Sequence, residues 1–290
     1  MIRKNEPADC PFDLAVAAAG ATALAFSLLS AVLVLRFQLL STGSPRRLRN
    51  LNSLWPVRLL LILFAALLVL AELLRIPLLL RRLPPHTCAA HSLVSVAFAE
   101  PAFYSTLLFL LRASTHPKLP SAAFSSASVA AVAAALPFFL LLSIFVSLPD
   151  SFFLSLGLPI DFLGHGRRSC DVPLFAAVLL AALAALYVPL FVTACWTAVA
   201  VVINKRLRVR LYALAASVVA SLSIQVAALA LASLWAPETA VHQALSLSAY
   251  VSLLVSVVAG EAILVVQPVV DSLSVVDSGD DRRLSGGAEC

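Results

Sequence analysis

The chain has 290 residues, of which 61% are hydrophobic and only 12% charged, with twenty Lys and Arg against fifteen Asp and Glu. A soluble domain is about 45–50% apolar and about 25% charged, so this composition excludes an ordinary water-soluble domain: long stretches supply no polar residues to coat a surface. The basic excess does not point to nucleic acid, because the bases sit in short clusters beside apolar segments, where they set membrane topology.

A membrane-spanning helix needs about 20 mostly apolar residues, since 1.5 Å per residue must cover a hydrocarbon layer of roughly 30 Å. Seven stretches qualify in chain order: Leu14–Leu40, Val57–Leu80, Ala90–Leu111, Ala122–Leu148, Pro173–Ile203, Leu211–Trp235 and Leu245–Val270. Short polar breaks such as Ser41–Asn50 and Asn204–Arg210 separate them. The apolar runs are continuous, whereas a barrel strand alternates every second residue, so the expected fold is all-α, a polytopic transmembrane bundle of about seven helices. Residues 1–13 form a short tail, 14–270 the spanning domain, and 271–290 a polar tail, rich in Ser and Asp, that should be disordered.

Arg3 and Lys4 precede the first stretch, but its apolar run outlasts a signal-peptide core and no small-x-small cleavage site closes it before Arg36, so it reads as a retained signal-anchor helix. The segment 151–164, with Phe152 and Phe153 beside Asp150 and Asp161, is too broken to span and reads as a loop on the membrane surface. Pro77, Pro101, Pro137, Pro189 and Pro268 fall within or at the ends of the stretches and are expected to kink them. One face collects Arg46, Arg47, Arg49, Arg58, Arg112, Lys118, Lys205, Arg206, Arg208, Arg210, Arg282 and Arg283; the other has Arg3, Lys4, Arg81, Arg82, Arg167 and Arg168. That twofold bias places the N-terminus outside and the C-terminus in the cytoplasm.

Ionisable groups within a bilayer cost about 2.5–3.5 kcal/mol on insertion scales and mark functional candidates. Five stand out: Arg36, Glu72, Arg75, Glu100 and Glu261. Glu72 and Arg75 are three residues apart on one helix and can pair; Arg36 and Glu261 share a depth on the first and last helices and form a second expected ion pair, unless Arg36 snorkels to the headgroups. Glu100 stands near the middle of the third stretch with no charged neighbour within a turn, followed by Pro101 and, one turn on, Tyr104 and Ser105. Glu100, Tyr104 and, on the sixth stretch, Gln225 are the ligand or ion site candidates; for Glu100 the alternative is a buried hydrogen bond that only orders helices, and interhelical hydrogen bonding also explains Gln225. Gln267, before Pro268, reads as an interhelical hydrogen-bonding group.

The cysteines are Cys10, Cys88, Cys170, Cys195 and Cys290, and the expected topology puts the first three on the oxidising side. Cys88 precedes the third helix and Cys170 lies late in the loop between the fourth and fifth, a placement that resembles the disulfide of rhodopsin-like receptors. It implies a Cys88–Cys170 bridge, with Cys10 as a competing partner. Cys195 reads as a small core residue. The histidines show no helical metal spacing and no haem-binding placement, and there is no phosphate loop, nucleophile elbow or His-Glu-x-x-His. No metal, cofactor or enzyme activity is expected.

The segments Cys10-Pro11-Phe12-Asp13, Leu51-Asn52-Ser53-Leu54-Trp55-Pro56-Val57-Arg58 and Ala71-Glu72-Leu73-Leu74-Arg75-Ile76-Pro77 resemble those of a small set of uncharacterised plant seven-transmembrane proteins regarded as candidate heptahelical receptors. The resemblance implies seven helices and an outside N-terminus, and brings no ligand or catalytic residue. The third stretch ends Leu110-Leu111-Arg112-Ala113-Ser114 without an Asp-Arg-Tyr motif, and Gln267-Pro268-Val269-Val270-Asp271 only distantly echoes Asn-Pro-x-x-Tyr. Three functions remain: a receptor-like sensor of unknown ligand with a cytoplasmic protein partner at its basic loops, a transporter or channel using Glu100, or a membrane scaffold whose basic loops hold anionic lipids. The lipid bilayer is the expected surroundings, the plasma membrane preferred over endomembranes.

Overall fold

A computed structural model describes residues 10–42, 54–74, 93–115, 123–148, 174–235 and 239–272. They form seven helices, each long and apolar enough to cross a membrane, and no strand is present among them. The helices are α1 (Cys10–Thr42), α2 (Trp55–Leu74), α3 (Leu93–Thr115), α4 (Ala123–Ser147), α5 (Leu174–Val201), α6 (Lys205–Ala232) and α7 (Ala240–Ser272). The chain is a multi-pass membrane protein with the all-α bundle that its continuous apolar runs imply.

Burial divides the helices. α3 and α7 are the most enclosed and α4 the least. α3 packs against α2, α4 and α5, while α7 lies between α6 and α1. Leucines and valines such as Leu28, Leu63, Val129, Leu186 and Val251 remain exposed on the outer faces. In water such a surface would aggregate; against acyl chains it needs no cover. Inside, Phe103, Tyr104, Leu107, Leu111, Phe191, Leu214 and Leu222 are fully buried. Two glycines let α7 approach its neighbours: a Cβ on Gly260 would stand 2.9 Å from Leu107 Cδ1 on α3, and one on Gly20 of α1 would stand 2.5 Å from Tyr250 Oη and 2.6 Å from Leu73 Cδ2. Small residues permitting close helix approach are the usual solution where lipid offers no hydrophobic drive between helices.

The expected polar break at Asn204–Arg210 is much shorter in the structure. Val201 ends α5 and Lys205 begins α6, so the basic run forms the first turns of a helix. Asn204 is its N-cap, the side-chain oxygen accepting from Arg206 N at 3.0 Å, and Lys and Arg are good helix formers once a cap satisfies the first donors. Arg210 then pairs with Asp271 at 2.6 Å, because α7 continues to Ser272, just into the residues expected to be a tail. Thr239 caps α7 by accepting from His242 N at 3.3 Å.

The prolines act differently from simple kinks at two sites. α3 begins with a π-helical turn, Leu93–Ala99, and α7 contains a second, Ala262–Val266. Each ends two residues before a proline, Pro101 or Pro268. Proline lacks an N–H and its ring collides with the carbonyl four residues back; a widened turn relieves that collision within a continuous helix. Pro137 and Pro189 lie inside uninterrupted α-helices. The surface segment at 151–164 and the remainder of the C-terminal tail lie outside the described residues.

Candidate functional site

Glu100 follows the first π-turn directly, and 2% of it is exposed. It sits seven residues, about 10.5 Å of helix rise, beyond Leu93 and four residues before Tyr104 at the middle of α3. Gln225 of α6 meets it there: Nε2 donates to Glu100 Oε1 at 2.5 Å, with both side chains buried. That amide orientation suits an accepting carboxyl oxygen. Gln225 Oε1 and Glu100 Oε2 are left buried without a hydrogen-bond partner.

Of the three candidates, Glu100 and Gln225 meet from two helices far apart in the chain, while Tyr104 is outside the residues that line the adjoining cavity. Tyr104, fully buried one turn beyond Glu100, stacks obliquely on Tyr187 of α5 with ring centroids 4.9 Å apart, and its hydroxyl faces Ser256 of α7. Tyr187 in turn stacks on Phe191 at 5.2 Å. The result is an aromatic floor between the carboxyl and the apolar core.

Above it lies a cavity lined by Glu72, Glu100, Gln225, Ser246 and Tyr250 together with apolar side chains of α3, α6 and α7. The space open to the centre of a water molecule is about 20 Å³. One water needs roughly 10–15 Å³ by that measure, so the cavity admits one or two. All of its polar lining belongs to the end of the bundle where α1 begins: Glu72 is near the close of α2, Gln225 near that of α6, and Ser246 and Tyr250 in the first turns of α7. Ser246 Oγ and Tyr250 Oη are also buried without partners.

Of the other intramembrane charges, Glu72 and Glu261 each accept from a serine of a neighbouring helix. Glu72 accepts from Ser95 Oγ of α3 at 2.8 Å; Arg75 lies outside the described residues. Glu261, fully buried on α7 directly before the second π-turn, accepts from Ser27 Oγ of α1 at 2.7 Å. Arg36 is exposed, nine residues beyond Ser27 on the same helix and so about 13.5 Å further along it. The expected Arg36–Glu261 bridge is replaced by a hydroxyl, because Glu261 lies deeper than a comparison of helix ends suggested. Arg58, counted among the loop bases, is instead buried in the first turn of α2, its Nε without a partner. Cys88 and Cys170 lie outside the described residues; Cys195 is buried in α5 as a free thiol. Ser246 and Tyr250 escaped sequence reasoning, although their spacing of four on an apolar helix places them on one face.

Residues 16–282 match the family described as "Uncharacterised conserved protein UCP031277". That range covers all seven helices but for the first turns of α1, and the chain belongs to this family. The description carries neither a receptor role nor a plant source. No curated protein matches the chain.

Proposed function

We propose that this family member moves a proton or small cation through the site at Glu100. The observation that carries the reading is a carboxyl group held by Gln225 inside a seven-helix bundle, beside a cavity that admits no more than two waters. Organic ligands occupy pockets of about 300–1,000 Å³, far larger than this one. Carboxyl groups placed inside a membrane domain and facing its interior are the usual seats of coupling ions and relayed protons. Of the readings that the sequence leaves open, the transporter or channel using Glu100 gains most from this geometry.

The receptor-like reading draws on the seven spans and on the basic loops at the end where α1 finishes. With the N-terminus outside, as the distribution of Lys and Arg favours, the cavity would face the non-cytoplasmic side and take its ion from there. The purified chain in liposomes tests the proposal. A proton or alkali-cation gradient should drive flux that Glu100→Gln abolishes while the variant stays folded and monodisperse. Flux equal in wild type and variant, or absent from both, would end the ion-site reading.

A further inference from the structure

Four of the described residues that line one cavity each carry an oxygen with hydrogen-bonding capacity unused: Glu100 Oε2, Gln225 Oε1, Ser246 Oγ and Tyr250 Oη. They come from α3, α6 and α7, and all four oxygens are buried. Unused capacity of this kind is costly inside a membrane domain unless something fills it. Among the described residues none that lines the cavity is basic, and Glu100 brings a carboxyl group whose second oxygen has no partner, so the occupant that best suits the site is positively charged.

We infer that the cavity binds a single, largely dehydrated alkali-metal cation through these four oxygens; the inference rests on the reading of Glu100 as an ion site. All the donors are hard oxygens, the class that suits unpolarisable cations, and none of the described residues lining the cavity is a cysteine, methionine or histidine. Divalent ions fit poorly. Calcium takes six to eight oxygens and magnesium retains several waters, whereas here four protein oxygens share a space with room for one or two water-sized particles. Gln225 contributes through the orientation of its amide: donation to Glu100 turns the carbonyl oxygen away from the carboxylate and leaves it free to coordinate. Gly20 leaves room on α1 for the Tyr250 hydroxyl.

Thermal unfolding of the purified full chain in detergent, in sodium, potassium or choline chloride at one ionic strength, tests the assignment. Sodium or potassium should raise Tm saturably where choline does not. Ser246→Ala and Tyr250→Phe should each weaken the apparent cation affinity by roughly tenfold, as loss of one contact to a charged ligand implies, and Glu100→Gln should remove the effect. Tyr250→Phe keeps the ring and serves as the variant least able to disturb folding. Identical Tm in all three salts would overturn the alkali-cation assignment and leave waters as the occupants. If proton-driven flux through liposomes persisted in that case and still required Glu100, the ion-site reading would survive with a proton as its ligand. If that flux were absent as well, both would fall.

Discussion

The Glu100–Gln225 contact makes a quantitative claim about how α3 and α6 are held together. Polar pairs between transmembrane helices average only about 0.6 kcal/mol in double-mutant cycles, with a maximum of about 1.7, because the unfolded chain finds other partners. This pair should exceed that average. It is short at 2.5 Å, its residues are 2% and 3% exposed, and Glu100 Oε2 has no other protein partner. Hydrogen bonds to charged groups contribute about 1.5–3 kcal/mol, which sets the expected coupling at about 1.5 kcal/mol or more. The cycle is wild type, Glu100→Leu, Gln225→Leu and the double variant; leucine keeps the side chains bulky and limits cavity formation. Gln225→Leu alone should be the most damaging step, since it strands a carboxyl in the interior, and adding Glu100→Leu should restore part of the loss. Unfolding in mixed micelles of increasing denaturing detergent, followed by circular dichroism, reads each free energy. Independent sites add within about 0.3–0.5 kcal/mol, so a coupling inside that band would refute the claim that the pair is a buried bond of consequence.

Close approach and burial set the other expectations. Gly20→Ala should destabilise by about 1–3 kcal/mol through overpacking against Tyr250 and Leu73, and Tyr250→Phe in the same chain should recover part of it; the same detergent titration checks both. Arg58→Met should raise unfolding free energy by roughly 1–3 kcal/mol, since it removes a buried donor without a partner and keeps the aliphatic stem; a lower stability would show that the guanidinium is compensated by an anion such as a lipid phosphate. Asn204→Ala should cost about 1 kcal/mol through loss of the α6 cap, and Asn204→Gly much less, which thermal scans of the three proteins resolve.

The fold was legible because lipid imposes a coarse rule: about 20 apolar residues per span, whatever the packing. That rule found seven helices and misjudged their ends wherever side-chain capping decides them. Asn204 shows why. Its cap converts a run of four bases from apparent loop to helix, and hydropathy takes no account of a cap. The site was partly legible for a related reason. Glu100 and Gln225 are conspicuous in apolar surroundings, and a buried carboxyl must find a partner. Nothing in one sequence says which residue that partner is, and depth along two helices proved too weak a guide for Arg36 and Glu261. Ser246 and Tyr250 are ordinary residues in a transmembrane helix, and only their convergence on the same cavity as Glu100 distinguishes them.

The two π-turns connect these observations. An α-helix that runs without interruption presents one face to its bundle, and a residue added in a π-turn rotates the later part of the helix by about 100° relative to the earlier part. In α3 the turn Leu93–Ala99 lets Ser95 reach Glu72 on α2 while Glu100, directly after the turn, reaches Gln225 on α6. In α7 the second turn lies directly after Glu261, which meets Ser27 on α1, while Gly260 faces Leu107 on α3. In both cases proline removes the backbone donor that would favour a regular helix at that point, and an acid occupies the junction. A regular α3 would direct either Ser95 or Glu100 elsewhere, so the proline at 101 is better understood as part of what aims the carboxyl than as a bend tolerated beside it.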